Sequence, residues 1–243
     1  MAMNKELKDI AERACARARK AGASAAGAAV NSNRVTKVSV QDGKYEQIKS
    51  SESRALNLRV YVNDRYGSHQ TSDLSPQGMD RFIDDAVEMT RVLMPDTLRT
   101  LPDPALYAGR STTDLGICDV APAKLTTDGR KARAMALHDK ARAETGDKVI
   151  SVEAGFSDRQ SEWVRVHTNG FGDGDRSTSF SQWASVSAKD PSGRRPSDWA
   201  EAQARRLTDL ARPEVTGAEA ARRTLAQIGA QNMTSIKLPV IVE

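Results

Sequence analysis

Apolar and polar positions alternate most cleanly between residues 56 and 63. Leu56, Leu58, Val60 and Val62 fall on one side, and Asn57, Arg59, Tyr61 and Asn63 on the other. A period of two predicts a half-buried strand. Asn63-Asp64 is a turn pair, and the polar run Arg65 to Thr71 reads as the returning strand of a hairpin. The period then lengthens. Ser75 offers an N-cap hydroxyl ahead of Pro76, whose missing N–H costs nothing at the first helical position. Asp80, Asp84 and Asp85 follow in the early turns, where the helix dipole favours acids. Met79, Phe82, Ile83, Ala86 and Leu93 make one apolar stripe, and Pro95 ends the helix. A strand hairpin feeding a helix is the unit around which the first half is organised.

Upstream, Leu7, Ile10, Ala11, Ala14, Ala18 and Ala21 lie at helical spacing and predict a helix over residues 3–21, stopped at Gly22. Extended segments follow over Ala25 to Asn31, Val35 to Val40 and Tyr45 to Ser51, with Asp42-Gly43 as a hairpin turn. Together with the organising hairpin these give about four antiparallel strands between two helices. Four prolines (Pro95, Pro102, Pro104, Pro122) and weak periodicity mark residues 96–123 as a linker. That places an N-terminal α+β domain at 1–95 and a central α+β domain at 124–233.

The second half repeats the plan. Asp128 to Thr145 reads as a helix, Val149 to Phe156 and Trp163 to Thr168 as strands, Asn169-Gly170 as a turn, Ser177 to Ala188 as a strand and Gly217 to Ile228 as a last helix. The predicted fold class is therefore α+β, two helix/antiparallel-sheet/helix modules. An internal duplication would leave this pattern, although the halves share pattern rather than sequence. Asp198 to Leu210 reads locally as helix. Lys237 to Val242 is an apolar, strand-like run with nothing after it, which predicts that residues 234–243 begin a further domain and that the chain continues.

Composition narrows the class. Aromatic residues are only 5%, so the core of this 243-residue chain must rest on Ala, Val, Leu and Ile. The net charge of +4 is spread through Arg194-Arg195, Arg205-Arg206 and Arg222-Arg223 among acidic neighbours. Nucleic-acid binders concentrate such charge on one face, so direct nucleic-acid contact is disfavoured. Cys15 and Cys118 form no disulfide framework or zinc knuckle, and Cys15 reads as a small buried residue in a helix. The N-terminus lacks an apolar signal-peptide core and no run of about 18 apolar residues occurs, so a soluble, cytoplasmic protein with no membrane partner is expected.

Recognisable catalytic chemistry is sparse. His69, His138 and His167 are followed by Gln70, Asp139 and Thr168, so none opens an HExxH or HExxxH pattern. Phosphate-loop, nucleophile-elbow and EF-hand patterns do not occur. Gly170 to Asp175 alternates glycine and aspartate. It reads either as a cation or phosphate cradle or, better without a following helix, as a hairpin loop. The polar run Gly67 to Asp73 suits the lining of a cleft, which makes Ser68 and Ser72, with Asn169, the candidates for substrate binding. His167 falls on one sheet face with Trp163 and Arg165 by alternation. No residue is assigned as catalytic and none as a metal ligand.

Three stretches carry a more specific likeness. Leu58-Arg59-Val60-Tyr61-Val62, then Gly67-Ser68 and Thr71-Ser72-Asp73-Leu74-Ser75-Pro76-Gln77, resemble the N-terminal region of the TldD/PmbA family. Val149 to Gly170 resembles its second-domain strands, and Val215 to Val242, with GAEAARRTL at 217–225, its passage from a helix into a third domain. The likeness runs in order along nearly the whole chain and favours the PmbA (TldE) branch. Family members are about twice as long, and the HExxxH zinc motif belongs to the third domain of the TldD branch alone. The resemblance therefore implies no cofactor in this chain, with zinc held by a TldD-like partner. It implies the non-metal subunit of a cytoplasmic metallopeptidase complex, acting on extended or unfolded peptides in peptide maturation or degradation. Relatives carry a strand where Asp198 to Leu210 reads as helix. The alternative from another class is a non-catalytic binding or modulator module, the sense of the family's older label as a DNA gyrase modulator.

Overall fold

A computed structural model of the chain describes residues 4–109, 111, 113–231, 235, 237 and 239. The elements run α1 (Lys5–Lys20), β1 (Ala25–Gln41), β2 (Lys44–Val62), β3 (Arg65–Thr71), α2 (Pro76–Arg91), α3 (Ala121–Lys124), α4 (Thr127–Thr145), β4 (Val149–His167), β5 (Gly172–Ala188), β6 (Ser197–Ala204) and α5 (Pro213–Ala226). Short 3₁₀ turns occupy Pro104–Tyr107 and Gly146–Lys148. The fold is α+β, as its periodicities predict. The predicted strand at 237–242 and the predicted start of a further domain at 234–243 lie outside the described residues, save three isolated positions.

All six strands join one antiparallel sheet in the order β3-β2-β1-β4-β5-β6. Its centre is the β1–β4 pair, which runs from Gly27 opposite His167 to Gln41 opposite Glu153. The buried apolar side chains of β1 are Ala26, Ala28, Val30, Val38 and Val40, all on one face by alternation. At one end they pack with Leu7, Ala11, Ala14 and Ala18 of α1 and Met79, Ile83 and Val87 of α2. At the other end Val38 and Val40 pack with Ala134 of α4, Phe156 and Phe180. Leu137 and Ala141 of α4 and Ala220 of α5 cover Val152, Ala154, Ala184 and Val186. Two helix pairs thus cover opposite ends of the same sheet face. Among the described residues the other face carries no α-helix.

Local chemistry explains the element ends. Ser75 Oγ accepts from Gly78 N at 3.2 Å and Pro76 opens α2, as expected. Asp42 and Gly43, and then Asn63 and Asp64, all have positive φ, the backbone that two-residue hairpin turns require.

Three readings are corrected. The extended segments at 25–31 and 35–40 are one strand, as are the segments from Tyr45 to Val62, and as are 149–156 with 163–168. The polar residues Ser32 to Arg34 and Arg159 to Glu162 lie midway between the two helix pairs. Burial there cannot impose alternation, yet ladder hydrogen bonds on both sides keep the backbone extended. Asp198 to Leu210 is not a helix: Ser197–Ala204 is β6, paired with β5 from Ser187 to Phe180. Its alanines alternate inward, with Ala200 buried against α5, and this pairing outweighs the helix preference of Ala, Glu and Gln. Finally, Gly172 to Asp175 is not loop but the start of β5, paired with Val166 to Trp163.

The α4–α5 contact depends on one missing side chain. A Cβ on Gly217 would lie 2.5 Å from the Leu137 carbonyl oxygen and 3.2 Å from Ala141 N, both backbone atoms that cannot rotate away. Gly217→Ala is therefore expected to cost about 1–3 kcal/mol through overpacking, although Ala is the better helix former. A thermal melt that rises on this substitution would contradict the close approach.

Cys15 lies 5% exposed on the inner face of α1, with its Sγ 3.4 Å from the Val166 carbonyl. Burial pushes its thiol pKa up to about 11. Cys118 is partly exposed. At pH 8 a thiol reagent is expected to label Cys118 in the native protein and Cys15 only after denaturant is added. Equal labelling rates would mean that α1 does not stay docked.

Candidate functional site

The open face of the sheet is defined by register. Odd-numbered residues of β1 point to it, and their partners align across the sheet: Gly27 with Arg59 and His167, Ala29 with Asn57 and Arg165, and Asn31 with Trp163. Gly27 and Ala29 are small, while the strands on either side carry long arginines. The result is a hollow of about 200 Å³ with Gly27 and Ala29 as its floor and Asn31, Asn57, Arg59, Ser68, Arg165 and His167 around it.

Glycine is required at the floor. A Cβ on Gly27 would come within 2.9 Å of His167 Cδ2 and 3.5 Å of Leu101 Cδ2. His167 is 8% exposed, stacked 4.8 Å from the Phe171 ring and 6.2 Å from that of Tyr107. The Tyr107 hydroxyl lies 2.9 Å from the Pro102 carbonyl, 3.0 Å from Asn169 Oδ1 and 3.3 Å from His167 Nδ1, with one proton to give among them. Asn169 Nδ2 donates to the same Pro102 carbonyl at 2.8 Å. The segment from Arg99 to Tyr107 is thereby strapped across the open face at this end, with Arg99 5.0 Å over the Tyr66 ring. Burial, then the charges of Arg165 and Arg59, hold His167 below the ordinary histidine pKa, so its imidazole is neutral near pH 7.

Of the three sequence candidates, Ser68 lies on the rim of this hollow, opposite Arg59 on β3. Asn169 sits behind His167, holding the strap. Ser72 is elsewhere, exposed in the turn before α2, where Asp73 Oδ1 accepts from Ser75 N. The arginines and Gly27 were missed. Their signal was present in Gly27 and Ala29 at alternate positions, but it means something only once the flanking strands are known.

The three histidines lie on three different elements, β3, α4 and β4. His69 lies on the helix face, its Nε2 3.2 Å from Thr90 Oγ1 of α2. His138 is buried in α4, with its ring 3.7 Å from where a Gly43 Cβ would stand. Among the described residues, no three His, Cys, Asp or Glu side chains gather as a metal set.

A second feature is the edge of β2. The two-residue turn at Asn63-Asp64 makes Val62–Arg65 a hydrogen-bonded pair, so Val62, Val60, Leu58 and Leu56 direct their backbone groups toward β3. β3 ends at Thr71 opposite Leu56. Ile48, Ser50, Glu52 and Arg54 have the same parity and turn their N–H and C=O groups outward. Among the described residues, no strand lies on that side of them.

A larger cleft of about 410 Å³ opens on the other face, between the helix pairs. Its charges are paired: Arg34 with Glu52 at 2.8 Å, Arg54 with Glu6 at 2.7 Å, and Arg176 with Glu162.

Both halves match known proteins. A family model described as PmbA/TldA metallopeptidase domain 1 matches residues 26–90, and one described as the PmbA/TldA metallopeptidase central domain matches residues 121–228. The chain belongs to the PmbA/TldA metallopeptidase family. It is 32% identical over 219 residues to metalloprotease PmbA of Escherichia coli, covering 88% of this chain and 47% of that one. A metalloprotease PmbA homolog of Haemophilus influenzae is 26% identical over 242 residues, 99% of this chain and 52% of the homolog. The chain thus spans about half the length of the curated relatives it matches. Among solved structures, a candidate modulator of DNA gyrase from Bacteroides thetaiotaomicron superposes with a TM-score of 0.89 at 28% identity, over 96% of this chain and 52% of that one. TldE of Thermococcus kodakarensis shares the fold, with a TM-score of 0.73 at 15% identity over 89% and 47% of the two chains. No described helix of this PmbA/TldA family member is long and apolar enough to cross a membrane.

Proposed function

We propose that the protein is the non-metal subunit of a cytoplasmic PmbA/TldD-type metallopeptidase complex, in which a TldD-like subunit holds the zinc. Its substrates are extended or unfolded peptides. The observation that carries this reading is the match of both halves, in order, to metallopeptidase domains of one family. The outward backbone groups of Ile48, Ser50, Glu52 and Arg54 supply a physical means. An extended peptide adds to such an edge through main-chain hydrogen bonds, with little demand on its sequence. The relatives described as modulators of DNA gyrase favour a second reading, a binding module without a proteolytic role.

Hydrolysis of an unstructured peptide by the protein alone, by a TldD-like protein alone and by the mixture separates these readings. Cleavage is expected only in the mixture and is abolished by a chelator. Ser50→Pro removes one outward N–H while leaving the β1 ladder intact, a change that edge strands tolerate. It is expected to raise KM in the mixture about tenfold, the equivalent of one lost backbone hydrogen bond. Cleavage by this protein alone would overturn the non-metal assignment, and no cleavage in any sample would favour the binding module.

A further inference from the structure

The two polar recesses differ in one respect. In the interhelical cleft every arginine has a carboxylate partner. In the open-face hollow neither guanidinium does: among the described residues Arg59 and Arg165 have no ion-pair or hydrogen-bond partner, and the Arg165 guanidinium stands 5.9 Å from the Trp163 ring. None of the residues lining the hollow is acidic. The acidic position nearest by register, Asp173 opposite Arg165, has an interaction of its own and lies on the side away from Arg59. Two positive charges are therefore set on either side of a floor only one strand wide. The lining adds the amides of Asn31 and Asn57 and the Ser68 hydroxyl, all able to donate. Neighbouring guanidiniums repel one another, and natural surfaces usually relieve this with an interleaved acid, as the other cleft does. Here the relief is absent and the floor is held open by Gly27 and Ala29.

We propose that the hollow between Arg59 and Arg165 binds a carboxylate of the peptide substrate, selecting acidic segments. Planar guanidiniums match the two oxygens of a carboxylate, and the amides satisfy the remaining lone pairs. This rests on the peptide reading above and deepens it: the β2 edge would hold the peptide main chain without regard to sequence, and the hollow would add a charge preference.

The test uses the protein with four fluorescent peptides of one length: a glutamate-containing peptide with an amidated C-terminus, its glutamine counterpart with a free C-terminus, the glutamine counterpart amidated, and the glutamate peptide with a free C-terminus. Fluorescence anisotropy at low salt reads the affinities. Peptides carrying a carboxylate are expected to bind about ten- to a hundredfold more tightly than the amidated glutamine peptide, the range for a hydrogen bond to a charged group. The first two arms separate a side-chain carboxylate from a terminal one. Arg59→Gln and Arg165→Gln should each remove most of that preference, while Arg176→Gln, in the paired cleft, should leave it intact. Both arginines are exposed, so their loss should spare the fold, and circular dichroism of each variant checks this. Equal binding of all four peptides, or an acidic preference that survives both arginine variants, would overturn the proposal. So would displacement of the acidic peptide by inorganic phosphate more effectively than by acetate. Sequence-blind cleavage in the mixed peptidase assay would leave the subunit reading standing while this one fell.

Discussion

Asp158→Ala is expected to lower the unfolding free energy by about 3–5 kcal/mol, the cost of leaving a buried charge without its partner. Asp158 on β4 is 3% exposed and Arg130 on α4 is 8% exposed. The pair is bidentate, with Nε 2.5 Å from Oδ2 and Nη2 3.0 Å from Oδ1. The same guanidinium donates to the carbonyls of Pro122, at 3.3 Å, and Leu125. One side chain thus ties α4, the short helix α3 and the central strand β4 together. Removing the carboxylate leaves the positive charge inside with two carbonyl oxygens, too few for five N–H donors. Replacing both residues with apolar ones of similar volume is expected to restore most of the loss, because the desolvation cost disappears with the charges. Urea midpoints at constant m-value measure both changes. A single-substitution cost under about 1 kcal/mol would mean that water reaches the pair, as it does at exposed ion pairs.

That pair also shows what the sequence conceals. Wherever one sheet face is covered by a helix, burial forces alternation, and Leu56 to Val62 was legible for that reason. The turns and the cap of α2 were legible because their chemistry is local: Asn63-Asp64, Asp42-Gly43 and Ser75-Pro76 each need only their own backbone. Midway along β1 and β4 the rule fails. Ser32 to Arg34 and Arg159 to Glu162 sit in the gap between helix pairs, so their strand state comes from neighbouring strands and leaves no hydrophobic trace. β6 fails for a related reason. Ala200, Ala202 and Ala204 suit a helix in isolation and a narrow strand–helix interface in place. Arg130 in α4 reads as a surface residue until Asp158, on another element, is brought opposite it.

The candidate site was legible only in part. Ser68 was reached through the polar run between Gly67 and Asp73, and it does border the hollow. Arg59 and Arg165 alternate correctly on their strands, but nothing in one chain of letters places β1 between β2 and β4. Sites made by non-local strand order are the hardest to read, since each contributing residue looks like an ordinary exposed position. The order also explains why Gly27 matters: His167 can lie over it only because no Cβ intervenes.

Phe156→Ala is expected to cost about 3–5 kcal/mol, as deletion of a fully buried aromatic ring does when its cavity cannot collapse. Phe156 is fully buried and packs in one cluster with Phe180, Val38, Val40, Ala134 and Leu210. The Arg133 guanidinium stands 5.6 Å from its ring, adding a cation–π contact that alanine would also lose. Because the cluster joins the far end of β1 to α4 and β5, the loss should be felt in both halves of the chain. The protein carries its own reporters for this. All three tryptophans lie on β4, β5 and β6, while Cys15 lies on α1. Tryptophan fluorescence and Cys15 labelling across a denaturant series should therefore shift together in Phe156→Ala, with coincident midpoints. A shift of the tryptophan midpoint with Cys15 protection unchanged would show that the sheet, although continuous in hydrogen bonds, unfolds in two pieces that meet at β1 and β4.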